Sequence, residues 1–272
     1  LFINNSFFEK LGIFKDIQDL IIFLSSLILF FLIGFFDDKY DVSANKKFMV
    51  MIIFLIPIIL YSANLSIGQI RVSFLDAKYV LPIYISIFWT ILCFLLFINA
   101  VNMFDGINYQ VGFFSIYICI FFIINNYFTI FFIVLLISLL SFLILNHQNK
   151  AFLGDNGSYF LAFLFSYFFV KMYNQNTNID SDHIFLIMII PGIDLIRLFL
   201  SRVVKGYSPF KPDRNHLHHI LLQRYNLITV NLIIQFLIIV PSISGYYFGF
   251  TYIFLFLQLL IYFFLVISYR TK

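Results

Sequence analysis

Apolar residues fill this chain in long runs, and polar residues fall in short breaks between them. A bilayer span needs about 20 predominantly apolar residues at about 1.5 Å of rise each. Nine runs fit that pattern: 17–36, 48–63, 79–98, 111–124, 127–145, 159–173, 184–203, 227–246 and 250–267. Gly, Pro, Asn and charged residues mark the breaks. Neither a low-complexity linker nor an internal repeat divides the sequence. The pattern predicts an all-α fold: one polytopic integral membrane domain of nine transmembrane helices.

The breaks are not alike. Loops 37–47, 99–110, 146–158 and 204–226, with the tail from 268, hold ten Lys and Arg residues; Arg202 lies at the same face. The opposite loops hold five: Lys10, Lys15, Arg71, Lys78 and Lys171. Basic residues concentrate on the cytoplasmic side of membrane proteins, so the first set is assigned there. Chemistry-bearing residues sort the same way. Asp37 and Asp38, Asn102 and Asp105, Asp155, and His216, His218 and His219 all fall on that face, from four separate loops. The other face carries plain stretches such as "NN" at 125–126 and "YNQNTNIDSD" at 173–182.

Composition supports the bilayer. The 272 residues are 62% hydrophobic and 11% charged, and 40 of them are Phe. A soluble domain is nearer half apolar and a quarter charged. The net charge of +4 is small and reveals no nucleic-acid patch. Cys93 and Cys119 lie in apolar runs and read as small buried hydrophobes rather than a disulfide or a metal site.

Each polar loop has a functional and a plainer reading. In "DDKYDVSANKKF" (37–48), two carboxylates at a helix end suit a divalent cation or a base, or are simply solvated headgroup-level charges. In "NAVNMFDGINYQ" (99–110), Asn99, Asn102 and Asp105 share one helical face, and Gly106 ends the turn. Such oxygens suit a hard cation or a nucleobase edge; the alternative is a polar Asp-Gly turn. In "AFLGDNGSY" (151–159), the glycines allow close approach to phosphate, Asp155 suits Mg²⁺, and Ser158 suits an N-cap. In "PGIDLIRLFLSRVVKGYSPFKPDRNHLHHILLQRY" (191–225), Asp194 and Arg197 are intramembrane ionisable residues that either serve function or pair with each other. There Asp213 suits the cap of a short helix carrying His216 and His219 on one face. The histidines fit an anionic diphosphate better than zinc, because no cysteine is near and the neighbouring charges are cationic.

Taken together, the four loops resemble the polyprenyl-phosphate N-acetylhexosamine-1-phosphate transferases, a membrane family that includes the phospho-N-acetylmuramoyl-pentapeptide transferase. The likeness covers about residues 34 to 225. "DDKYDVSANKK" resembles the family's aspartate-pair motif, ending here in Lys47. "NAVNMFDG" resembles Asn-Ala-x-Asn-x-x-Asp-Gly, "FLGDNGS" resembles Gly-Asp-x-Gly-Ser, and "RVVKGYSPFKPDRNHLHH" resembles the cytoplasmic histidine loop.

The resemblance implies a reaction: a sugar 1-phosphate moves from a UDP-N-acetylhexosamine to polyprenyl (undecaprenyl) phosphate, with Mg²⁺ as cofactor and UMP released. It implies a multi-pass protein of the bacterial inner membrane with a cytoplasmic-face active site; self-association is compatible with it. By resemblance, Asp155 and Asn102 coordinate Mg²⁺, and Asp37 or Asp38 accepts the lipid phosphate's proton or orients it. Asp105 contacts uridine or supports the metal. Phe152 stacks on uracil. His216, His218 and His219 bind the donor diphosphate with Arg202. Leu217 interrupts the histidines, which favours the branch using simple donors such as UDP-GlcNAc over the pentapeptide branch. Tyr109 stands where the family commonly has Gly, and "NHQNKAF" lacks a common proline. The chain opens with Leu1, and one or two further helices are expected before it. A membrane carrier is the alternative from another class; it would place ionisable residues near the midplane, where Asp194 and Arg197 are the candidates.

Overall fold

The computed structural model describes residues 14–62, 64–75, 78–175, 179–208 and 213–270. Lys10, Lys211 and Lys272, parts of "YNQNTNIDSD" and of the histidine loop, and the side chain of Arg270 lie outside the description.

The described residues form ten helices and one small hairpin. They are α1 (Ile17–Tyr40), α2 (Ala44–Tyr61), β1 (Gln69–Arg71), β2 (Lys78–Val80), α3 (Ile83–Phe104), α4 (Gln110–Ile124), α5 (Thr129–His147), α6 (Gly154–Asn174), α7 (Ser181–Val204), α8 (Leu217–Leu222), α9 (Leu227–Phe248) and α10 (Thr251–Arg270). Local chemistry sets several ends. The Asp16 side chain accepts from the Asp19 amide at the start of α1, and Asn226 accepts from Thr229 at the start of α9. Pro82 precedes the first turn of α3, where its missing N–H costs nothing. The 79–98 run therefore divides: Lys78–Val80 pairs antiparallel with Gln69–Arg71, and the helix begins at Ile83.

Seven of these helices are long and apolar enough to cross a membrane among the described residues: α1, α2, α3, α5, α7, α9 and α10. Two of the nine predicted spans differ in kind. Helix α4 has 15 residues, about 22 Å of helix, which is short for an apolar core about 30 Å thick. Helix α6 has 21 residues, but carries Asp155 and Asn156 at one end and Lys171 and Asn174 at the other. It need not be apolar enough for lipid because it meets little of it. Every residue from Leu161 to Tyr173 is buried, chiefly against α1 and α3. Phe163 stacks on Phe30 of α1 with ring centroids 4.4 Å apart. On the outside, Ile28 of α1, Ile130 of α5 and Phe264 of α10 are exposed, as expected of side chains solvated by lipid.

The polar residues gather at the two ends of the bundle. One end holds Asp19, Ser62 and Lys171, with Arg71 bonded to Asp180 and Ser73 to Asp182. The other end holds the four motif loops. The protein is a multi-pass, all-α membrane protein whose central helix, α6, starts at that second end.

Candidate active site

Helix α1 runs through Asp37 and Asp38 before Asp41, in a left-handed conformation (φ 48°), ends it. Neighbours on a helix diverge by about 100°, so the two carboxylates face different ways. Asp37 is buried, bonded to the Lys47 ammonium and the Val42 amide (3.1 Å), and touches the Asp155 carboxyl. Asp38 is exposed and accepts the amides of Asp155 (3.0 Å) and Asn156 (3.2 Å). It thus supplies from α1 the cap that α6 lacks in its own sequence, with negative charge at the positive end of the helix dipole. Gly154, at φ 66°, makes the approach feasible, since a Cβ there would stand 2.8 Å from Asp38 Oδ2. Ser158 is not the N-cap the sequence suggested. The helix starts earlier, and its hydroxyl donates to the Asp155 carbonyl (3.2 Å) and accepts from Asn102 (2.9 Å).

Asn102, on the last turn of α3, donates from Nδ2 to Asp155 Oδ1 at 2.8 Å. These bonds use the amide's NH₂ side and leave its oxygen as a further ligand atom. The expected shared face is divided. Asn99 bonds back to the Leu95 carbonyl (2.7 Å), and Asp105 sits just past the helix as its C-cap. Asp38, Asp105, Phe152 and Asp155 nevertheless line one cleft of about 290 Å³. Phe152 is 68% exposed at this cleft.

The cleft crowds like charges. Burial, then the carboxylates of Asp155 and Asp38, push Asp105 up to about 7. Asp155 precedes the apolar stretch of its helix. Burial first, and contact with Asp37 next, raise it to about 6, against the opposing pull of Asn102 and Lys47.

The histidine loop closes over this end. A Cβ on Gly106 would collide with the His218 ring, so Gly106 beside Asp105 is where the second and fourth loops meet. His218 stacks on His216 (5.3 Å, 9° between planes) and meets His219 edge-on at 4.3 Å. Burial, then His219 and His216, hold His218 down at about 3, so this ring is neutral at physiological pH. His219 is lowered by burial, then His216 and Arg214. Asp213 does not cap the short helix. His216 occupies that position, while Asp213 accepts from the Asn215 amide and from Arg202, both at 2.8 Å. Arg202 is buried, and its bond to Asp213 braces the loop. Sequence reasoning passed over other lining residues, Asn108 and Asn146, and treated Tyr109 only as a departure. Tyr109 takes φ 71°, held by its amide on Asn146 Oδ1 (3.0 Å) and its hydroxyl on His147 (2.8 Å). A glycine's backbone conformation kept by a tyrosine was the available signal.

Residues 20–173 match the sequence profile of glycosyl transferase family 4. The chain belongs to that family. Its matched stretch contains the first three motifs and ends before the histidine loop. The undecaprenyl-phosphate alpha-N-acetylglucosaminyl 1-phosphate transferase of Salmonella typhi is 27% identical over 203 residues, 70% of this chain and 55% of the relative. That of Escherichia coli O157:H7 is 28% identical over the same length and shares. The probable undecaprenyl-phosphate N-acetylglucosaminyl 1-phosphate transferase of Bacillus subtilis (strain 168) is 27% identical over 219 residues, 78% of this chain and 60% of the relative. The chain thus spans little more than half the length of the curated relatives it matches.

This glycosyl transferase family 4 chain holds no ready-made triad of metal-binding side chains among the described residues. Its donor set still fits Mg²⁺. That ion takes oxygen ligands, often one or two carboxylates completed by water and substrate phosphate. The oxygens of Asp155, its Asp37 neighbour and Asn102 are the atoms that would hold it. The raised Asp155 and Asp105 mark a cluster short of positive charge.

Proposed function

We propose that the protein transfers N-acetylhexosamine 1-phosphate, GlcNAc 1-phosphate by preference, from a UDP-sugar to polyprenyl phosphate. UMP leaves, and a lipid-linked glycan is begun. The activities named for the relatives support the lipid acceptor and the sugar phosphate. The observation that carries the reading is the junction at the start of α6, where Asp37, Asp38, Asn102 and Asp155 meet within hydrogen-bonding distance beside the histidine loop.

Both substrates are anionic, and their phosphates must be brought together before in-line attack. Asp155 and Asn102 would hold Mg²⁺, and the bound ion would screen that repulsion and polarise the donor diphosphate. Asp38 is the exposed member of the pair and the one placed to meet the lipid phosphate, orienting it or taking its proton. Asp37, buried and bonded to Lys47, keeps Asp155 in place and brings Lys47 to the site. Asp105 supports the metal or meets uridine, and Phe152 offers an exposed ring for stacking on uracil. The histidines donate N–H bonds to the diphosphate, which a neutral ring such as His218 can do. The basic loops support a position for this end of the bundle at the cytoplasmic face of a bacterial inner membrane.

Asp155→Asn tests the reading. Its shape is conserved and its charge is lost, so Mg²⁺-dependent UMP release falls by at least about a hundredfold while the folded, detergent-soluble protein is retained. Full activity in a folded variant would remove Asp155 from the metal site.

A further inference from the structure

Asp194 lies inside α7, yet its carboxylate reaches out of that helix to the histidine loop. Oδ2 pairs with His216 Nδ1 at 2.9 Å, and Oδ1 accepts the Leu217 amide at 3.2 Å. Two further donors fix the same carboxylate: the Tyr262 hydroxyl of α10 at 2.6 Å and the Arg197 guanidinium at 2.8 Å. Arg197 also donates to Tyr262 and to the Asn215 carbonyl, both at 2.6 Å. Asp194 is buried and Tyr262 fully so. One carboxylate therefore ties α7, α10 and the first turn of α8 together. Four donors point at it, which is the full acceptor capacity of an ionised carboxylate.

The geometry points to Asp194 as a positioning residue for His216, with Tyr262 and Arg197 holding Asp194 in turn. The partner of one ring nitrogen decides the tautomer of an imidazole. With Nδ1–H donated to Asp194, His216 is fixed in orientation, and in its imidazolium form the Nε2–H is the donor left to face the donor diphosphate. The ring's stacking on His218 carries that order onward to Gly106 and the cleft. This inference rests on the transferase reading for what His216 meets, but not for how His216 is held.

The test uses Asp194→Asn, Tyr262→Phe and His216→Ala in the whole protein. In Asp194→Asn, Arg197 and Tyr262 retain the single amide oxygen, and the new NH₂ turns towards His216 Nδ1. ¹⁵N-histidine NMR in detergent then shows the His216 proton moved from Nδ1 to Nε2, or its Nδ1–H signal lost. Turnover gives the second readout. The KM for UDP-GlcNAc rises about tenfold or more, as for other groups that orient a ligating side chain, while the KM for undecaprenyl phosphate stays within about twofold. Tyr262→Phe moves the donor KM the same way by less, and serves if Asp194→Asn does not fold. In a His216→Ala background, Asp194→Asn adds no further change to donor KM. A loss of kcat with both KM values unchanged, an unaltered His216 tautomer, or additive effects would overturn the proposal. If the wild-type protein releases no UMP from any donor, the transferase reading fails, and the tautomer experiment alone decides the positioning.

Discussion

A single carboxylate on this fold means different things according to what it touches. Asp37 and Asp38 are adjacent in sequence, yet one is buried on a lysine and the other caps a helix from a distant part of the chain. The sequence marked both as candidates but could not divide their roles, because the division depends on α6, more than a hundred residues away. Asp194 and Arg197 were legible as a pair, and they do pair at 2.8 Å. The histidine and tyrosine that join them were hidden by distance along the chain. Asp105 gives the clearest test at this scale. Its folded pKa of about 7 lies above the ordinary value of 3.8, so the folded state binds this proton more tightly than the unfolded state does. The contribution is favourable at acid pH and is lost as pH rises from about 4 through 7. In EDTA, the melting temperature therefore falls between pH 5 and 8, and Asp105→Asn flattens that fall. Mg²⁺ raises the melting temperature more at pH 8 than at pH 5. An identical pH slope in Asp105→Asn would show that this carboxyl is not held protonated by the fold.

Among the elements, α6 departs furthest from its sequence pattern. Runs of apolar residues locate helices well, and helix occurs within all nine predicted spans. Periodicity cannot tell a helix facing lipid from one sheathed by other helices, since both are apolar all round. The polar residues at both ends of α6 were the sign, and its aromatic face against α1 is the reason. The two helices approach closely at Gly34, where a Cβ would collide with the backbone at Asn156. Gly34→Ala therefore pushes the start of α6 away from α1 and weakens the Asp38 cap. Overpacking of this kind costs about 1–3 kcal/mol. The variant is expected to melt earlier and to lose activity out of proportion to its residual folded fraction. Wild-type melting and activity would show that α1 and α6 are free to separate here.

For the whole molecule, the sequence revealed the class and the grouping of the motif loops, because charge and chemistry were both confined to alternate breaks. The structure agrees that the four loops share one end. The ionisable candidates for a carrier's midplane site, Asp194 and Arg197, bond to the histidine loop at that same end, which leaves the carrier reading without its central feature. Sidedness has its own test. Lys150 lies at the site end and Lys78 on the hairpin at the other, and both are exposed. With Cys93 and Cys119 replaced, a cysteine at position 78 is labelled in intact cells by a membrane-impermeant maleimide, and one at position 150 only after permeabilisation. The reverse pattern would put the site outside.

The most direct measurement is UMP release by the purified protein in detergent with undecaprenyl phosphate. UDP-GlcNAc, UDP-GalNAc and UDP-MurNAc-pentapeptide are supplied separately, with Mg²⁺ or with EDTA. The account predicts Mg²⁺-dependent UMP from UDP-GlcNAc, and none in EDTA. UMP only from the pentapeptide donor would contradict the choice of sugar, and no UMP from any donor by a folded protein would contradict the transferase itself.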